Sequence, residues 1–176
     1  MRHLGTRIAV ATLSGLLAAG CTVQPLNAPS APANVAASPA LASIYIAAVD
    51  DRVGQQLRNH LIFLLNGGSG QPANPQYELE LTVATADRSA LIIQSDVDNE
   101  PSASKVTVTA NYTLARAADG TVVSKRRAYA TASYDVSSQE FANIRASRDA
   151  ENRAARDVAE RLRALIAADL KRAGAL

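Results

Sequence analysis

The sequence predicts an α+β domain: two helices packed on one face of a four-stranded mixed β-sheet, in the order β-α-β-β-β-α. Three observations predict it. Residues 106–114 and 128–134 alternate apolar and polar positions, with Ala118-Asp119-Gly120 between them, the pattern of a hairpin with one buried face. Val53, Leu57, Leu61 and Leu64 recur at helical spacing, and so do Ala150, Ala154, Val158, Leu162, Leu165, Ile166 and Leu170. Strand-like stretches stand before and after the first of these helices, which implies a right-handed crossover between parallel strands.

The chain start is a separate matter. Arg2, His3 and Arg7 give a positive head, Ile8–Leu17 a short apolar run, and Ala18, Ala19 and Gly20 a set of small residues. That order is a secretory signal over residues 1–20. The run is far short of the roughly 20 residues that span a bilayer. Leu17-Ala18-Ala19-Gly20-Cys21 resembles a bacterial lipobox, which implies cleavage between Gly20 and Cys21 and lipid on the Cys21 thiol. The plainer alternative is a stray cysteine in an ordinary signal peptide. Cys21 is the one cysteine of the chain, so an internal disulfide is excluded.

Cleavage would leave 156 of the 176 residues, enough for one domain with a real core. It would also remove Arg2 and Arg7, leaving 16 basic and 16 acidic residues and a formal charge of zero. The precursor's sequence pI of 8.9 is therefore no sign of nucleic-acid affinity. Trp is absent, and five Tyr and two Phe are the only aromatics, which argues against a stacking platform for bases. Nucleic acid is not expected as a partner.

Residues 21–40 are rich in Pro, Ala, Asn and Ser and read as a lipidated tether. The domain proper is 41–176. Leu41–Val49 reads as a strand with Ile44, Ile46 and Ala48 on one face. Asp50 or Asp51 caps the first helix, and Asn66-Gly67-Gly68 ends it. Tyr77, Leu79, Leu81 and Val83 alternate with polar residues as a half-buried strand. Leu91–Ile93 extend it beyond a bulge, and Asp96–Pro101 is an acidic loop. A three-residue turn closed by Gly120 pairs Ala117 with Thr121, Tyr112 with Arg126 and Val108 with Ala130. One hairpin face is then apolar. The other carries Lys105, Thr107, Thr109, Asn111 and Thr113 against Lys125, Arg127, Tyr129, Thr131 and Ser133. Ser137 and Glu140 have capping-box spacing, with Val136 and Phe141 placed for a hydrophobic staple. The last helix follows, with Gly174 beyond its end.

Chemistry is scarce. His60 is the only histidine after cleavage and has no nucleophile signature nearby, so it reads as a surface or boundary residue. Zinc is disfavoured for want of ligands, and no metal or cofactor is expected. Asp96, Asp98 and Glu100 resemble the opening of a calcium loop, but Pro101 stands where its glycine belongs. Gly67-Gly68-Ser69-Gly70 follows a helix and lacks a phosphate-loop lysine. Lys125-Arg126-Arg127 is the one basic cluster with a pointed reading: Lys125 and Arg127 project from the polar face near Lys105, and Arg126 lies towards an edge. Such a patch either meets phosphates or simply discourages edge pairing. Arg145, Arg148, Arg153 and Arg156 read as a solvated helix face paired with Asp149, Glu151 and Asp157.

Several stretches together resemble a known family. Arg52-Val53-Gly54-Gln55-Gln56-Leu57-Arg58-Asn59 is similar to the R-x-G-Q-x-L-R-N stretch of the lipopolysaccharide-assembly lipoproteins, LptE. Ala110–Leu114 with Asp119-Gly120 resembles their hairpin. Ser133-Tyr134, Phe141-Ala142, Ala146-Ser147 and Asp149-Ala150-Glu151 resemble the entry to their last helix. Cys21 with Pro25-Leu26 is similar to their mature N-terminus, although Thr22 replaces the usual glycine and the tether is longer. The resemblance spans about residues 41–172, and shared order and spacing carry it. It implies a non-enzymatic protein, lipid-anchored in the outer membrane on its periplasmic side. Such a protein would plug the LptD β-barrel translocon and assist lipopolysaccharide delivery to the outer leaflet. It also implies direct contact with lipopolysaccharide, for whose phosphates Lys105, Lys125 and Arg127 are the candidates. Two alternatives stay open: an accessory lipoprotein of another envelope lipid-transport system and, more distantly, a periplasmic hydrolase using His60.

Overall fold

The computed structural model describes residues 38–92 and 101–176. Cys21, the signal segment and nearly all of the tether lie outside the described residues, and so does the acidic stretch Asp96–Glu100. The elements run α1 (Pro39–Ala42), β1 (Ile44–Ile46), α2 (Arg52–Asn66), β2 (Tyr77–Ile92), β3 (Pro101–Arg116), β4 (Val122–Asp135) and α3 (Glu140–Arg172). The sheet order is β1-β2-β3-β4. β1 pairs parallel to β2, with Ile44 against Tyr77, and the remaining pairs are antiparallel. The expected mixed sheet with its two main helices is thus present.

The first strand is shorter than the expected 41–49. Pro39 starts a helical turn, where its fixed φ is an advantage, and the Ser43 hydroxyl donates to the Ala40 carbonyl at 2.8 Å. Leu41 is buried from that turn rather than from a strand. The strand ends at Ile46, whose outer side is covered by side chains. The Gln71 side-chain amide accepts from Ile46 N–H at 2.7 Å and donates to Ile46 C=O at 3.0 Å, occupying the edge as a further strand would. Arg58 Nε donates to the carbonyls of Ile46 and Ala47. Ala48 is exposed.

Asp51 caps α2, its carboxylate accepting from Gly54 N–H at 2.8 Å. Gly67 ends the helix in the left-handed conformation, φ 60°. The buried stripe is Val53, Leu57, Leu61 and Leu65, with Leu64 only partly covered. The two leucines flank the same helical face, and the one a full turn beyond Leu61 takes the core position. β2 continues past a register shift between Ser89 and Leu91, as the bulge expected there requires.

The β3–β4 register has Tyr112 against Arg126 and Val108 against Ala130, as the alternation predicts. The turn differs. Arg116 N–H donates to the Thr121 carbonyl at 2.9 Å, so Arg116 rather than Ala117 closes it, and the loop has one residue more. A bulge at Val123, between the pairs Leu114–Ser124 and Ala115–Val122, restores the register. Gly120 has φ 69°, as its place in the turn demands.

α3 is a single helix of 33 residues, about 50 Å long at 1.5 Å per residue. The expected capping box does not form. The Asn143 side chain accepts from Ser137 N–H and donates to Ser137 C=O, both at 2.8 Å, and Ser137 Oγ accepts from Gln139 N–H at 3.2 Å. Ser137 is consumed by this clasp, the helix starts at Glu140, and Phe141 is left 84% exposed instead of closing a staple. Ile44, Ile46, Leu57, Leu61, Leu79, Leu114, Leu162, Ile166 and Leu170 are fully buried between helices and sheet. Each contributes about 1.5–3 kcal/mol.

Gly54 is the tightest point of this architecture. A Cβ there would stand 2.4 Å from Val49 Cγ1 and 2.5 Å from Asp51 Oδ2. Alanine is the better helix former by about 1 kcal/mol, but overpacking costs about 1–3 kcal/mol and the cap is disturbed as well. Gly54→Ala should therefore lower the urea midpoint of the domain; an unchanged or raised midpoint contradicts the packing described.

Candidate functional site

Helices cover one side of the long hairpin strands and leave the other bare. Val106, Val108, Ala110, Tyr112 and Leu114 on β3, with Ala128, Ala130 and Ala132 on β4, are buried beneath them. The opposite face carries rows fixed by the register: Glu80–Thr113–Lys125, Thr82–Asn111–Arg127, Ala84–Thr109–Tyr129, Ala86–Thr107–Thr131 and Arg88–Lys105–Ser133. Its side chains are exposed or half-buried. Strands of 14–16 residues make this face about 50 Å long. Tyr129 lies at its middle, 58% exposed.

The three basic residues singled out from sequence share this face but do not form one patch. Lys105 pairs with Ser133, six positions along β4 from Arg127 and eight from Lys125. That spacing is about 20–26 Å. The neighbour of Lys105 is instead Arg88, directly opposite on β2. Two like charges facing each other repel, and the row they share with Ser133 holds no acid. Lys125 and Arg127 form a second, separate basic group at the other end.

Arg126 stands on β4, an edge strand of the sheet, and its side chain turns to the helix side, where Nε stands 3.0 Å from Asp169 Oδ1 on α3. Arg172 pairs with the same oxygen, and Tyr112 Oη donates to Asp169 Oδ2 at 2.6 Å. The Asp169 side chain is 2% exposed. Ser124 Oγ is buried beside it without a well-aligned partner, and its rotatable proton can serve the carboxylate. Burial by itself would raise the Asp169 pKa, but Ser124, Tyr112 and the charges of Arg126 and Arg172 outweigh it and hold the carboxyl below its ordinary value. Tyr112 is pushed the other way, by burial and by its bond to Asp169. This cluster escapes the sequence because Tyr112 and Asp169 are 57 residues apart. The one available signal was an aspartate on the apolar stripe of α3, beside Leu170.

Two further links tie α3 down. Arg52 at the start of α2 pairs with Glu151 and donates to Asn152 Oδ1 at 2.9 Å. At the far end of the sheet Tyr134 Oη donates to Asp87 at 2.7 Å, and Ser147 Oγ reaches the same carboxylate at 3.3 Å. Burial raises the Tyr134 pKa, and Asp87 adds to it. Of the arginines read as a solvated face of α3, Arg153 pairs with Asp149 at 2.8 Å, while Glu151 is taken by Arg52. His60 is half-buried on α2. Among the described residues no group of three His, Cys, Asp or Glu could hold a metal ion. Of Asp50 and Asp51, it is Asp51 that is engaged as the helix cap.

Removing the Asp169 charge tests the cluster. Its pKa in the folded state lies below the unfolded value near 3.8, so its contribution is present above that pH and is lost as the carboxyl protonates below it. Asp169→Ala should cost about 2–4 kcal/mol at neutral pH, below the full penalty of a buried pair because both arginines are part-exposed. Tyr112→Phe should cost about 1 kcal/mol. In Asp169→Asn the loss of stability between pH 5 and pH 2 should be shallower than in the unaltered protein, by urea unfolding at each pH; an unaltered slope contradicts the assignment.

Known proteins share this arrangement. Residues 41–166 match the family described as LptE: Lipopolysaccharide-assembly. A solved structure from Caulobacter crescentus CB15, described as a lipoprotein, is 27% identical with a TM-score of 0.61. The match covers 75% of this chain and 93% of that one. The rare lipoprotein B of Shewanella oneidensis has the same fold at 10% identity and a TM-score of 0.53, with 73% and 95% of the two chains covered. No curated protein shows a significant match to the chain. The stretches around Arg52 and Glu151, which carry the sequence resemblance, are the ones that meet in space, and the matched region contains both: the chain belongs to the LptE family of lipopolysaccharide-assembly proteins.

Proposed function

We propose that this chain is an outer-membrane lipoprotein, anchored through Cys21 and facing the periplasm. In this reading it plugs and supports an LptD-type β-barrel translocon and assists lipopolysaccharide assembly at the outer leaflet. The observation that carries this reading, beside family membership, is the uncovered face of β2–β4. It is mostly polar and rich in threonine, with Ala84, Ala86 and Tyr129 its apolar positions, and the helix layer packs behind it. The lumen of a large β-barrel is polar, so a body that fills it needs satisfied polar surface, stiffness and a tether. It needs no nucleophile, and the role assigned is not catalytic. Several acyl chains on Cys21 would hold the protein at the membrane where one chain binds only marginally.

The charged ends of this face suit lipopolysaccharide phosphates through charge-assisted hydrogen bonds. Lys125 with Arg127 forms one group and Lys105 with Arg88 the other. Both side-chain pairs are exposed, so reversing them leaves the core alone.

Affinity purification of the full chain from detergent-solubilised membranes should bring down a large barrel protein in stoichiometric amount; recovery of the chain by itself overturns the plug. Cys21→Ser should move the protein from the membrane to the soluble fraction, and continued membrane retention removes the lipid anchor. Lys125→Glu with Arg127→Glu, and Arg88→Glu with Lys105→Glu, should each weaken capture of purified lipopolysaccharide several-fold. A double variant that binds as tightly as the unaltered protein excludes its end of the face.

A further inference from the structure

The two edges of the sheet are treated differently. β1 is three residues long, and Gln71 and Arg58 occupy the outer backbone groups of Ile46. β4 is the other edge, 14 residues long, and no described strand pairs with its outer side. The carbonyls of Tyr129 and Ser133 face away from β3 there and accept from Arg161 and Arg153 of α3, the latter at 2.9 Å. An antiparallel ladder alternates its bonding every two residues. The N–H and C=O groups of Lys125 and Arg127 therefore face the same open side. No described residue bonds to them across that side.

The side chains of α3 explain where the protection stops. Arg153 and Arg161 stand on one stripe of the helix, with the exposed Asp157 between them, and cover the edge from Tyr129 to Ser133. One and two turns further along that stripe stand Ala164 and Ala168, too short to reach round the strand. A shallow concavity opens at this point, lined by Lys125, Arg126, Asp169 and Arg172. Asp169 is already neutralised by two arginines, so the surroundings of the open edge are net positive.

We propose that the edge of β4 between Val122 and Tyr129 takes up an extended strand of a partner protein, with acidic side chains at alternate positions. Main-chain hydrogen bonds to Lys125 and Arg127 would supply the pairing, as in strand addition to other sheet edges. Alternate acidic residues would stand opposite Lys125 and Arg127 with Cβ atoms about 4.5–5.5 Å apart, within reach of ion pairing. A second copy of this chain is the poorer occupant, because two such edges set Lys125 and Arg127 against one another. The inference does not depend on the barrel or on lipopolysaccharide, and its test separates from theirs.

Backbone amide exchange in the full lipidated chain in detergent micelles tests it. The probe is a blocked eight-residue peptide of alternating glutamate and valine or threonine at millimolar concentration. The amides of Lys125 and Arg127 should exchange roughly tenfold more slowly with the peptide present, and no more slowly with the same peptide N-methylated at alternate residues, which cannot pair. Lys125→Glu with Arg127→Glu should abolish the slowing while leaving the circular dichroism spectrum intact. No slowing, or equal slowing by the N-methylated peptide, overturns the proposal. Slowing by inorganic pyrophosphate or lipopolysaccharide micelles but not by the peptide replaces the strand with an anion site. Slowing on concentrating the protein alone replaces it with a second copy.

Discussion

The fold depends on how closely α3 approaches the sheet. β4 offers Ala128, Ala130 and Ala132 to the helix layer, and α3 answers with Ala150, Ala154, Ala155 and Ala159. Towards the start of α3 alanine meets alanine, while Leu162, Ile166 and Leu170 fill the space further along, and the 33-residue helix packs against both β3 and β4. The polar links between these elements use that seat. Arg153 and Arg161 reach round β4 to its outer carbonyls. Asp169 comes within 2.6 Å of Tyr112 Oη. The small residues gain little by burial compared with leucine; what they provide is geometry.

Given that seat, the buried carboxylate sets position more than it adds stability. A buried ion pair gains little over an apolar replacement, because desolvation offsets attraction. A misplaced one is costly. If α3 slid by one turn, Asp169 would lose Tyr112, Arg126 and Ser124 together and remain charged among apolar side chains. Arg52 acts in the same sense at the other contact, tying the start of α2 to Glu151 and Asn152. The arginine that opens the first family-like stretch is thus explained by the second. Within the first, Gly54 makes room for the cap, and Arg58 closes the edge of β1.

Sequence periodicity disclosed the layers and the pairing of β3 with β4, because alternation over nine residues admits one register and the wrong one buries lysine and threonine. It disclosed the ends of α2, since an aspartate and a glycine act on their immediate neighbours. It failed wherever a local signal competed with a distant group. The capping box at Ser137 lost to the Asn143 amide. The first strand is shorter than its apolar alternation suggests, and its outer side at Ile46 is taken by Gln71, 25 residues away in the chain. The charge of Arg126 was visible but its partner was not, because nothing in a sequence marks which of 16 acids will meet it. The lysines of the polar face were read as neighbours, although the pairing register itself puts Lys105 several residues from Lys125 and Arg127.

A sheet with one uncovered face has two kinds of surface to manage. Its broad face can be satisfied by polar side chains alone, and threonine suits it, keeping a strand stiff while offering a hydroxyl. Its edges carry main-chain groups that no side-chain choice removes. In this protein the outer groups of Ile46 on one edge are bonded by glutamine and arginine, and the carbonyls of Tyr129 and Ser133 on the other by arginines from α3. The length left open coincides with the place where α3 turns from arginine to alanine. Had solubility been the only demand, a third arginine at position 164 or 168 would have closed it at little cost to the helix, since arginine and alanine are both strong helix formers. Alanine at both positions leaves the backbone of Lys125 and Arg127 within reach of another chain.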